Sequence, residues 1–179
     1  MMAHSPSSGL SSSPVGPLTD PNSRKTLIYL ILTLNHMYPD YDFSALRGHH
    51  FNKEGPGVMK VKDDVDSLLL ESAKVYDATI GAGAAPLVAE LWTSIDDVIG
   101  LAECDVYSYK AVAEGDPFCD DTNLWSFNYF FYNRKLKRIL YFSCRAVSKT
   151  ANEDSDEDGD ADFYGGADDS FVDDMDMDF

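Results

Sequence analysis

The stretch LWSFNYFFYNRKLKRILYFSCRAV, residues 124–147, decides how this chain folds. It contains two runs rich in aromatic and aliphatic side chains, Leu124–Tyr132 and Leu136–Val147. A short polar segment separates the runs, with a turn at Asn133–Arg134 or at Arg134–Lys135. Two apolar runs joined by a tight polar turn are typical of a β-hairpin, because aromatic and β-branched side chains pack well on a pleated surface. The sequence therefore predicts a long antiparallel hairpin here.

A third strand and several helices precede the hairpin. The run Glu103–Tyr109 alternates and predicts a strand beside it. Residues Arg24–Met37 are apolar almost all round, which predicts a helix in the middle of the core; a buried strand over Leu27–Leu34 is the competing interpretation. Helical spacing recurs over Val61–Tyr76, and Pro86 is expected to be the first residue of another amphipathic helix. Helices followed by antiparallel strands predict an α+β domain.

The predicted sheet of three strands is thin for a hairpin with two apolar faces. Allowing for register, Phe127, Tyr129 and Phe131 are expected on one face, and Trp125, Phe130 and Tyr132 on the other. Both faces then require cover, and a short helix expected around Ala45–His50 adds little. We therefore expect that part of the cover for this hairpin is absent from the sequence.

The charge of the chain is concentrated at its C-terminal end. The formal net charge is −17, and the residues from Glu153 onward include thirteen Asp or Glu and no Lys or Arg, so the remainder carries −4. Such a block is typical of disorder, and it either keeps the protein soluble or binds a basic surface. Together with the Ser/Pro/Gly-rich start, it predicts a flexible regulatory segment at residues 1–21, a globular domain at 22–149 and a disordered acidic tail at 150–179.

The sequence argues against several classes of protein. Its three cysteines include no C-x-x-C spacing, so they predict a reducing compartment and no disulfide framework. The N-terminus lacks the charged and apolar pattern of a signal peptide. The longest apolar run, Leu27–Leu32, is too short to span a bilayer. We expect a soluble protein of the cytoplasm or nucleus that has no membrane partner.

The sequence shows no pattern typical of a catalytic or metal site. It contains no Ser elbow, no phosphate-binding Gly loop and no His-x-x-x-His pair. Paired acids such as Asp63–Asp64 lie on predicted helix surfaces, where solvated charge is usual. A zinc site built from His49, His50 and a distant cysteine has no support from the spacing. We therefore expect no enzymatic activity and no cofactor.

The hairpin turn is the strongest candidate binding site. It places four basic residues beside the aromatic runs: Arg134, Lys135, Lys137 and Arg138. Aromatic strands next to a basic cluster can bind single-stranded nucleic acid through stacking and phosphate contacts. We favour the interpretation that the aromatic side chains form the core and that the basic turn contacts a protein partner or serves as a nuclear-import signal. Direct nucleic-acid binding is not expected, because the chain as a whole is acidic.

Serines near the start of the chain are candidate regulatory sites. Ser5 and Ser13 each precede a proline, which is the pattern that a proline-directed kinase recognises. A phosphate group would add about two negative charges and could switch docking of the segment. Ordinary linker composition is the alternative explanation for both pairs.

Several strings of this sequence resemble those of one known family. They are SRKTL with TLN (23–27 and 33–35), YPDYDFS (38–44), LAECDVYSY (101–109), DPF (116–118), LWSFNYFFYN with LKRI (124–133 and 136–139) and FSCR (142–145). Together they resemble the signature boxes of the Maf-one family, the repressors of RNA polymerase III transcription. The similarity extends over residues 23–148, and its long strings of rare aromatic residues make it highly specific.

This resemblance implies a fold and a function. It implies a sheet with more strands than three, a protein that is not an enzyme, and binding to the RNA polymerase III core in a way that blocks its meeting with the initiation factor. Kinases and a phosphatase of nutrient and stress signalling are implied to control movement between cytoplasm and nucleus. Ser5, and Ser11 in the string SGLS, resemble the family's phosphorylated linker, while Ser13 is a further candidate by its chemistry.

One family segment is not found in this sequence. The resemblance leads us to expect an N-terminal box before the Ser-rich linker, which contributes strands and a helix to the same domain. Without that box, we expect the hairpin faces and an edge strand to stay uncovered. The chain alone is then expected to be less stable than the full family domain.

Overall fold

The structure is a computed structural model and describes residues 13–80, 85–111, 116–119 and 122–148. Its elements, in chain order, are α1 (Pro21–Met37), β1 (Phe51–Lys53), α2 (Val58–Thr79), α3 (Leu87–Ile99), β2 (Cys104–Tyr109), β3 (Asn123–Asn133) and β4 (Arg138–Val147), with 3₁₀ turns at Gly48–His50 and Leu101–Glu103. The predicted α+β class, an antiparallel sheet packed with helices, is confirmed. The predicted acidic tail at 150–179 lies outside the described residues.

The strands form one antiparallel sheet in the order β1-β2-β3-β4. The three strands predicted from the sequence are confirmed. The fourth, β1, has only three residues and places Phe51 opposite Tyr109. A strand this short carries no readable alternation, because period-two patterns require at least four residues. The hairpin β3–β4 is the most extensive pairing, with Phe131 opposite Leu140 near its turn.

The hairpin turn is longer than either turn predicted from the sequence. Residues Arg134–Lys137 lie between the paired residues Asn133 and Arg138. The side chain of Asn133 accepts a hydrogen bond from the N–H of Leu136 at 3.0 Å. Lys137 adopts a left-handed φ of 53° as the chain reverses direction. Because these four residues form the reversal, β4 begins at Arg138, and the start predicted at Leu136 is wrong.

Helix α1 begins with a capped first turn. The carboxylate of Asp20 accepts a hydrogen bond from the N–H of Ser23 at 3.0 Å, and Pro21 is the first helical residue. Both features are typical of a helix start, because the first N–H groups of a helix lack partners within it. The helix continues to Met37, so the alternative of a buried strand over Leu27–Leu34 is wrong.

Helix α1 lies on the sheet rather than in the middle of the core. Leu30 and Leu34 are buried, whereas Ile28 and Leu32 are exposed. Residues four apart share one face of a helix, and only that face reaches the sheet. The prediction of a helix buried all round is therefore wrong. Its outer apolar face contributes to a surface groove described below.

Helices cover both faces of the sheet. On one face, Leu30 and Leu34 of α1 share a core cluster with Phe51, Tyr107 and Phe130. On the other face, α2 and α3 contribute to a second cluster that includes Val61, Val65, Trp92, Ile95, Val106, Phe127 and Phe131. The expectation that the hairpin faces stay uncovered is wrong for the described residues, because α1 lies on one side and α2 with α3 on the other.

The faces predicted for the aromatic residues of β3 are confirmed except at Trp125. Phe127, Tyr129 and Phe131 lie on the α2–α3 side, and Phe130 and Tyr132 lie on the α1 side. Trp125 was expected on the α1 side, but its ring is parallel to that of Phe127 at 6.2 Å. Because Trp125 is two residues before Phe127, alternation along the strand places both on the same face, so the expectation for Trp125 was wrong. The register shift between β3 and β4 lies further out, between Asn123 and Trp125.

Residues 13–20 pack against the folded unit. Val15 exposes 5% of its surface and belongs to the α1-side cluster. The guanidinium of Arg24 donates hydrogen bonds to the carbonyls of Leu18 and Thr19 at 2.8 and 2.9 Å. This part of the segment predicted to be flexible therefore has a defined place. The flexibility predicted for residues 1–12 concerns residues outside the described ranges.

Three helix bounds differ from those predicted. Helix α2 extends at both ends beyond the predicted Val61–Tyr76. Helix α3 begins at Leu87, so Pro86 precedes the helix instead of being its first residue. The helix expected around Ala45–His50 is only a 3₁₀ turn at Gly48–His50. Such shifts are small, because helix ends are decided by caps and local hydrogen bonds more than by apolar spacing.

Candidate protein-binding site

The basic turn between β3 and β4 is held by one buried asparagine. Asn133, at the end of β3, exposes 2% of its surface. Its Nδ2 donates to the carbonyl of Ile99 at 2.8 Å, and its Oδ1 accepts from the N–H of Leu136 at 3.0 Å. These two hydrogen bonds join the turn to the end of α3. The turn is therefore a supported element, which keeps its side chains in a defined geometry.

A carboxylate at the centre of the basic surface joins two of its cations. One oxygen of Asp105 in β2 lies 2.8 Å from Nζ of Lys53, and the other lies 2.8 Å from Nε of Arg134. Burial alone would raise the pKa of the Asp105 carboxyl, but hydrogen bonds from Lys53 and Arg134 outweigh it and hold that pKa below its ordinary value. The carboxylate therefore stays ionised and links β1 and β2 to the turn.

Arg134 is more a structural residue than a free contact residue. Besides Asp105, its guanidinium donates to the hydroxyls of Thr26 and Tyr107 at 3.2 and 3.4 Å. It also lies over the ring of Tyr132, 5.0 Å from the ring centroid. Burial would lower the pKa of Arg134, but the hydrogen bond to Asp105 outweighs it and raises that pKa. The arginine thus connects α1 with two strands, β2 and β3.

The structure divides the four basic residues predicted to face a partner. Lys135 forms an ion pair with Glu103. Lys137 and Arg138 are exposed, and no ion pair of either is found within the part of the chain that the structure describes. Two of the four cations thus form ion pairs with carboxylates, and the other two are exposed to solvent without an ion pair in the described residues. The assignment of all four as partner contacts stays a prediction, with Lys137 and Arg138 the better placed.

A surface groove separates α1 from the hairpin turn. We call it the α1 groove; it encloses about 830 Å³, and its walls include Lys25, Tyr29, Leu32, Met37, Tyr132, Arg134, Lys137 and Tyr141. Its lining, as far as the structure describes the chain, contains three Lys or Arg and no Asp or Glu. The groove therefore combines an apolar floor with positive charge. That combination suits an anionic partner that also carries apolar groups.

The aromatic side chains of β3 belong mainly to the core. Phe127, Phe130 and Phe131 are buried between the sheet and its helices. They therefore cannot stack on nucleic-acid bases, which requires aromatic faces open to solvent. The favoured interpretation that the aromatic side chains form the core is confirmed for these residues.

Comparison with known proteins places this arrangement in a family. A family model described as Maf1 regulator matches residues 2–143. The chain belongs to the Maf1 regulator family. Crystal structures titled citrus MAF1 are similar: one in space group C 2 2 21 is 43% identical, has a TM-score of 0.63, and is matched over 72% of this chain and 71% of its own. The resemblance described from sequence strings is thus confirmed.

Two curated relatives carry the same functional name. A Dictyostelium discoideum protein named "Repressor of RNA polymerase III transcription" is 42% identical over 142 residues, which is 79% of this chain and 48% of that protein. A Schizosaccharomyces pombe protein, "Repressor of RNA polymerase III transcription maf1", is 42% identical over 137 residues, covering 76% of this chain and 53% of that protein. This Maf1-family chain spans about half the length of these relatives.

The candidate phosphorylation sites of this Maf1-family chain are described only in part. Ser5 and Ser11 lie outside the described residues. Ser13 is half-buried, and its Oγ accepts a hydrogen bond from the N–H of Val15 at 3.4 Å. A Cβ placed on Gly48 would lie 2.1 Å from that Oγ, which shows how closely the two residues pack. A phosphate on Ser13 is therefore incompatible with the observed packing of residues 13–20.

The histidines and cysteines of the described residues have structural surroundings. The rings of His49 and His50 lie 4.0 Å apart, and Nδ1 of His50 accepts from the N–H of Arg47 at 2.8 Å. Burial raises the pKa of the Cys104 thiol to about 11, which makes it a poor nucleophile near neutral pH. Within the described ranges no group of three or more His, Cys, Asp or Glu side chains could hold a metal ion, and no helix could cross a membrane.

Sequence reasoning missed two parts of the site, the Asp105 bridge and the α1 groove. The bridge joins residues of two strands, β1 and β2, with Arg134 of the β3–β4 turn, and their proximity depends on the register of the sheet. The groove had a usable signal, because α1 is apolar almost all round while a helix on a sheet buries only one stripe. An apolar surface left on such a helix has to face either a partner or solvent.

Proposed function

We propose that this chain represses transcription by RNA polymerase III through contacts with other proteins. The observation that carries the proposal is the family match over residues 2–143, which includes every helix and strand described above except the last four residues of β4. The relatives that share this region are named as repressors of that transcription. The described surfaces suit binding, since the best-formed features are an exposed basic turn and an open groove.

In the proposed mechanism, the chain binds the RNA polymerase III core and blocks its meeting with the initiation factor. The basic turn is the proposed contact, because Lys137 and Arg138 are exposed on a hairpin end fixed by the buried Asn133. Arg134 and Lys135 act mainly by holding the turn through Asp105 and Glu103. A rigid basic projection favours encounter with an acidic surface, and it loses little conformational entropy on binding.

Regulation is proposed to act on the N-terminal serines. Kinases responding to nutrients and stress would phosphorylate Ser5, Ser11 or Ser13, and a phosphatase would reverse it. Support comes from the packing of Ser13 against Gly48, because a phosphate there has to displace residues 13–20 from the folded unit. In this proposal the phosphorylation state decides how the protein is distributed between cytoplasm and nucleus.

The test combines co-purification with an activity assay. The full chain is added to a cell extract that synthesises transfer RNA, and RNA polymerase III is recovered with it. We expect reduced transfer-RNA synthesis and co-purification of the polymerase. The variant Lys137→Asp/Arg138→Glu should lower recovery about tenfold, because two attractive charges become repulsive. Aspartate is chosen at position 137 because it tolerates left-handed φ better than most residues.

A matched control separates local contact from net charge. Lys60→Glu/Lys74→Glu makes the same charge change on α2, which packs on the opposite face of the sheet from α1. This control should recover the polymerase as the unaltered chain does. Undiminished transfer-RNA synthesis in the presence of the folded chain would refute the proposed function. Equal recovery of polymerase by both variants would refute the assignment of Lys137 and Arg138.

A further inference from the structure

We infer that the α1 groove is a docking site for an acidic segment of a partner protein that also carries aromatic or aliphatic side chains. The inference rests on the proposed function in one respect, since it describes how a partner of such a repressor would be recognised. Three observations support it: an exposed apolar floor, two rim cations that form no ion pair within the described residues, and a tyrosine ring, Tyr132, whose face Arg134 covers.

The floor of the groove contains large apolar side chains that are exposed to solvent. Leu32 exposes 55% of its surface, Met37 50% and Tyr29 42%, and all three line the groove. Ile139 and Tyr141 of β4 continue this surface on the other wall. Contiguous apolar groups in a concave site mark binding surfaces more often than isolated exposed residues do. The site therefore favours a partner with apolar side chains.

The rim of the groove selects negative charge. Lys25 at the start of α1 and Lys137 in the turn are exposed, and within the described ranges neither forms an ion pair. The groove lining described here contains no carboxylate, although the whole chain has a net charge of −17. An acidic side chain bound there would meet two cations that have not been neutralised. Charge complementarity therefore favours an acidic partner.

The aromatic rings of the groove argue against nucleic acid as the occupant. Tyr132 is buried, and the guanidinium of Arg134 covers its face at 5.0 Å. Tyr29 contacts Tyr132 edge to face, with ring centroids 6.1 Å apart. Binding of single strands requires open aromatic faces and a continuous run of cations along the backbone. Leu32 and Met37 provide no aromatic face and no cation, but they can pack against the apolar side chains of a peptide.

The dimensions of the groove suit a short extended segment. Its α1 wall extends from Asn22 to Met37, which is roughly 22 Å at 1.5 Å per helical residue. An extended peptide covers that length with about seven residues. Lys25 lies toward one end of this wall and Met37 at the other. A segment with acids toward the Lys25 end and apolar residues along the floor would therefore match the site.

The experiment measures peptide binding to the full chain without any polymerase. The probe is a fluorescent synthetic peptide of about eight residues with Asp at one end and Phe or Leu along the remainder. Fluorescence anisotropy should show saturable binding. The variants Lys25→Glu/Lys137→Asp and Leu32→Asp should each weaken it about tenfold, while Lys60→Glu/Lys74→Glu should not change it. Leu32 is more than half exposed, so its replacement leaves the core intact, which circular dichroism verifies.

Two altered peptides test separately whether binding depends on the negative charges and on the apolar side chains of the peptide. Replacing every Asp by Asn, or every Phe and Leu by Ser, should each weaken binding about tenfold or more. Saturable binding that depends on the groove residues and on both halves of the peptide supports the inference. The inference is overturned by absent binding, by binding that the groove variants do not weaken, or by an Asn peptide that binds equally well.

Two further outcomes identify other occupants. If a single-stranded oligonucleotide binds more tightly than the peptide, and the groove variants weaken that binding, the inference of a peptide occupant is overturned in favour of nucleic acid. A photo-reactive residue at position 32 that cross-links only within its own chain overturns docking of a partner. Transfer-RNA synthesis is measured separately with the same variants. Peptide binding without repression contradicts only the proposed function, and repression without peptide binding contradicts only the groove inference.

Discussion

Replacing Asn133 by alanine tests whether one buried amide holds the basic turn. Its side chain makes two hydrogen bonds, to the carbonyl of Ile99 and from the N–H of Leu136. The alanine variant removes both hydrogen bonds at once. It leaves the carbonyl of Ile99, which exposes only 1% of its surface, with a single weak donor, the Sγ of Cys104 at 3.8 Å. The freed N–H of Leu136 lies in an exposed turn, where water can replace the lost acceptor.

The expected loss of stability follows from these two hydrogen bonds. A typical intramolecular hydrogen bond contributes about 1 kcal/mol, and a buried polar group left without a partner costs about 1–3 kcal/mol. Only the Ile99 carbonyl incurs the second cost. The variant Asn133→Ala should therefore lower the free energy of unfolding by about 2–4 kcal/mol. That is a large share of the stability of a small domain, which is about 5–15 kcal/mol.

Urea denaturation measures this change. Unfolding is monitored by tryptophan fluorescence and circular dichroism, and the free energy of unfolding is extrapolated linearly to water. Asn22→Ala is the matched control, because Asn22 is exposed and its side chain has no hydrogen bond among those described. The control should change the free energy by less than about 0.5 kcal/mol. A loss below about 1 kcal/mol for Asn133→Ala would show that the amide does not hold the turn.

The acid sensitivity of the chain should depend on Asp105. The pKa of its carboxyl is lower in the folded than in the unfolded state. Its contribution to stability is therefore present above the unfolded pKa and is lost as the pH falls through the folded pKa. The variant Asp105→Asn should lose less unfolding free energy than the unaltered chain as the pH falls below about 4. Urea denaturation at several pH values measures this free energy, and an equal loss in both proteins would contradict the prediction. Ser13→Glu should release residues 13–20 and speed amide exchange at Gly16, whose N–H bonds the Ser13 carbonyl at 2.8 Å. The control is Ser72→Glu, because Ser72 is exposed on α2. An equal rate of amide exchange at Gly16 in both variants would contradict the inference that a charge at position 13 displaces residues 13–20.

The hairpin and the strand beside it could be predicted from the sequence because their patterns are local. Aromatic residues alternate along β3, and the observed faces follow that alternation from Phe127 to Tyr132. Trp125 follows the same alternation, because it is two residues before Phe127, and the expectation that put it on the other face was wrong. Strand β1 could not be predicted, since Phe51–Lys53 is a strand only through its pairing with β2.

The candidate site was predictable in its residue types but not in its division of roles. Four basic residues within five positions look equivalent in a sequence, and the structure separates them by the partners they find. Arg134 meets Asp105, which lies 29 residues before it in the chain, and Lys135 meets Glu103. Both partners lie at or near the start of β2, so the difference arises from the pairing of β2 with β3. Long-range pairing of this kind has no local signal.

The order of elements along the chain has a consequence for the synthesis of the protein. Helices α1, α2 and α3 are translated before β3 and β4, yet their buried faces pack on Phe127, Phe130 and Phe131 of β3. Leu30, Val65 and Ile95 therefore have no sheet to cover them until residues near 147 have left the ribosome. Exposed apolar surface of that kind attracts chaperones and promotes aggregation. A ribosome that pauses before β3 would hold the nascent chain in its most vulnerable state.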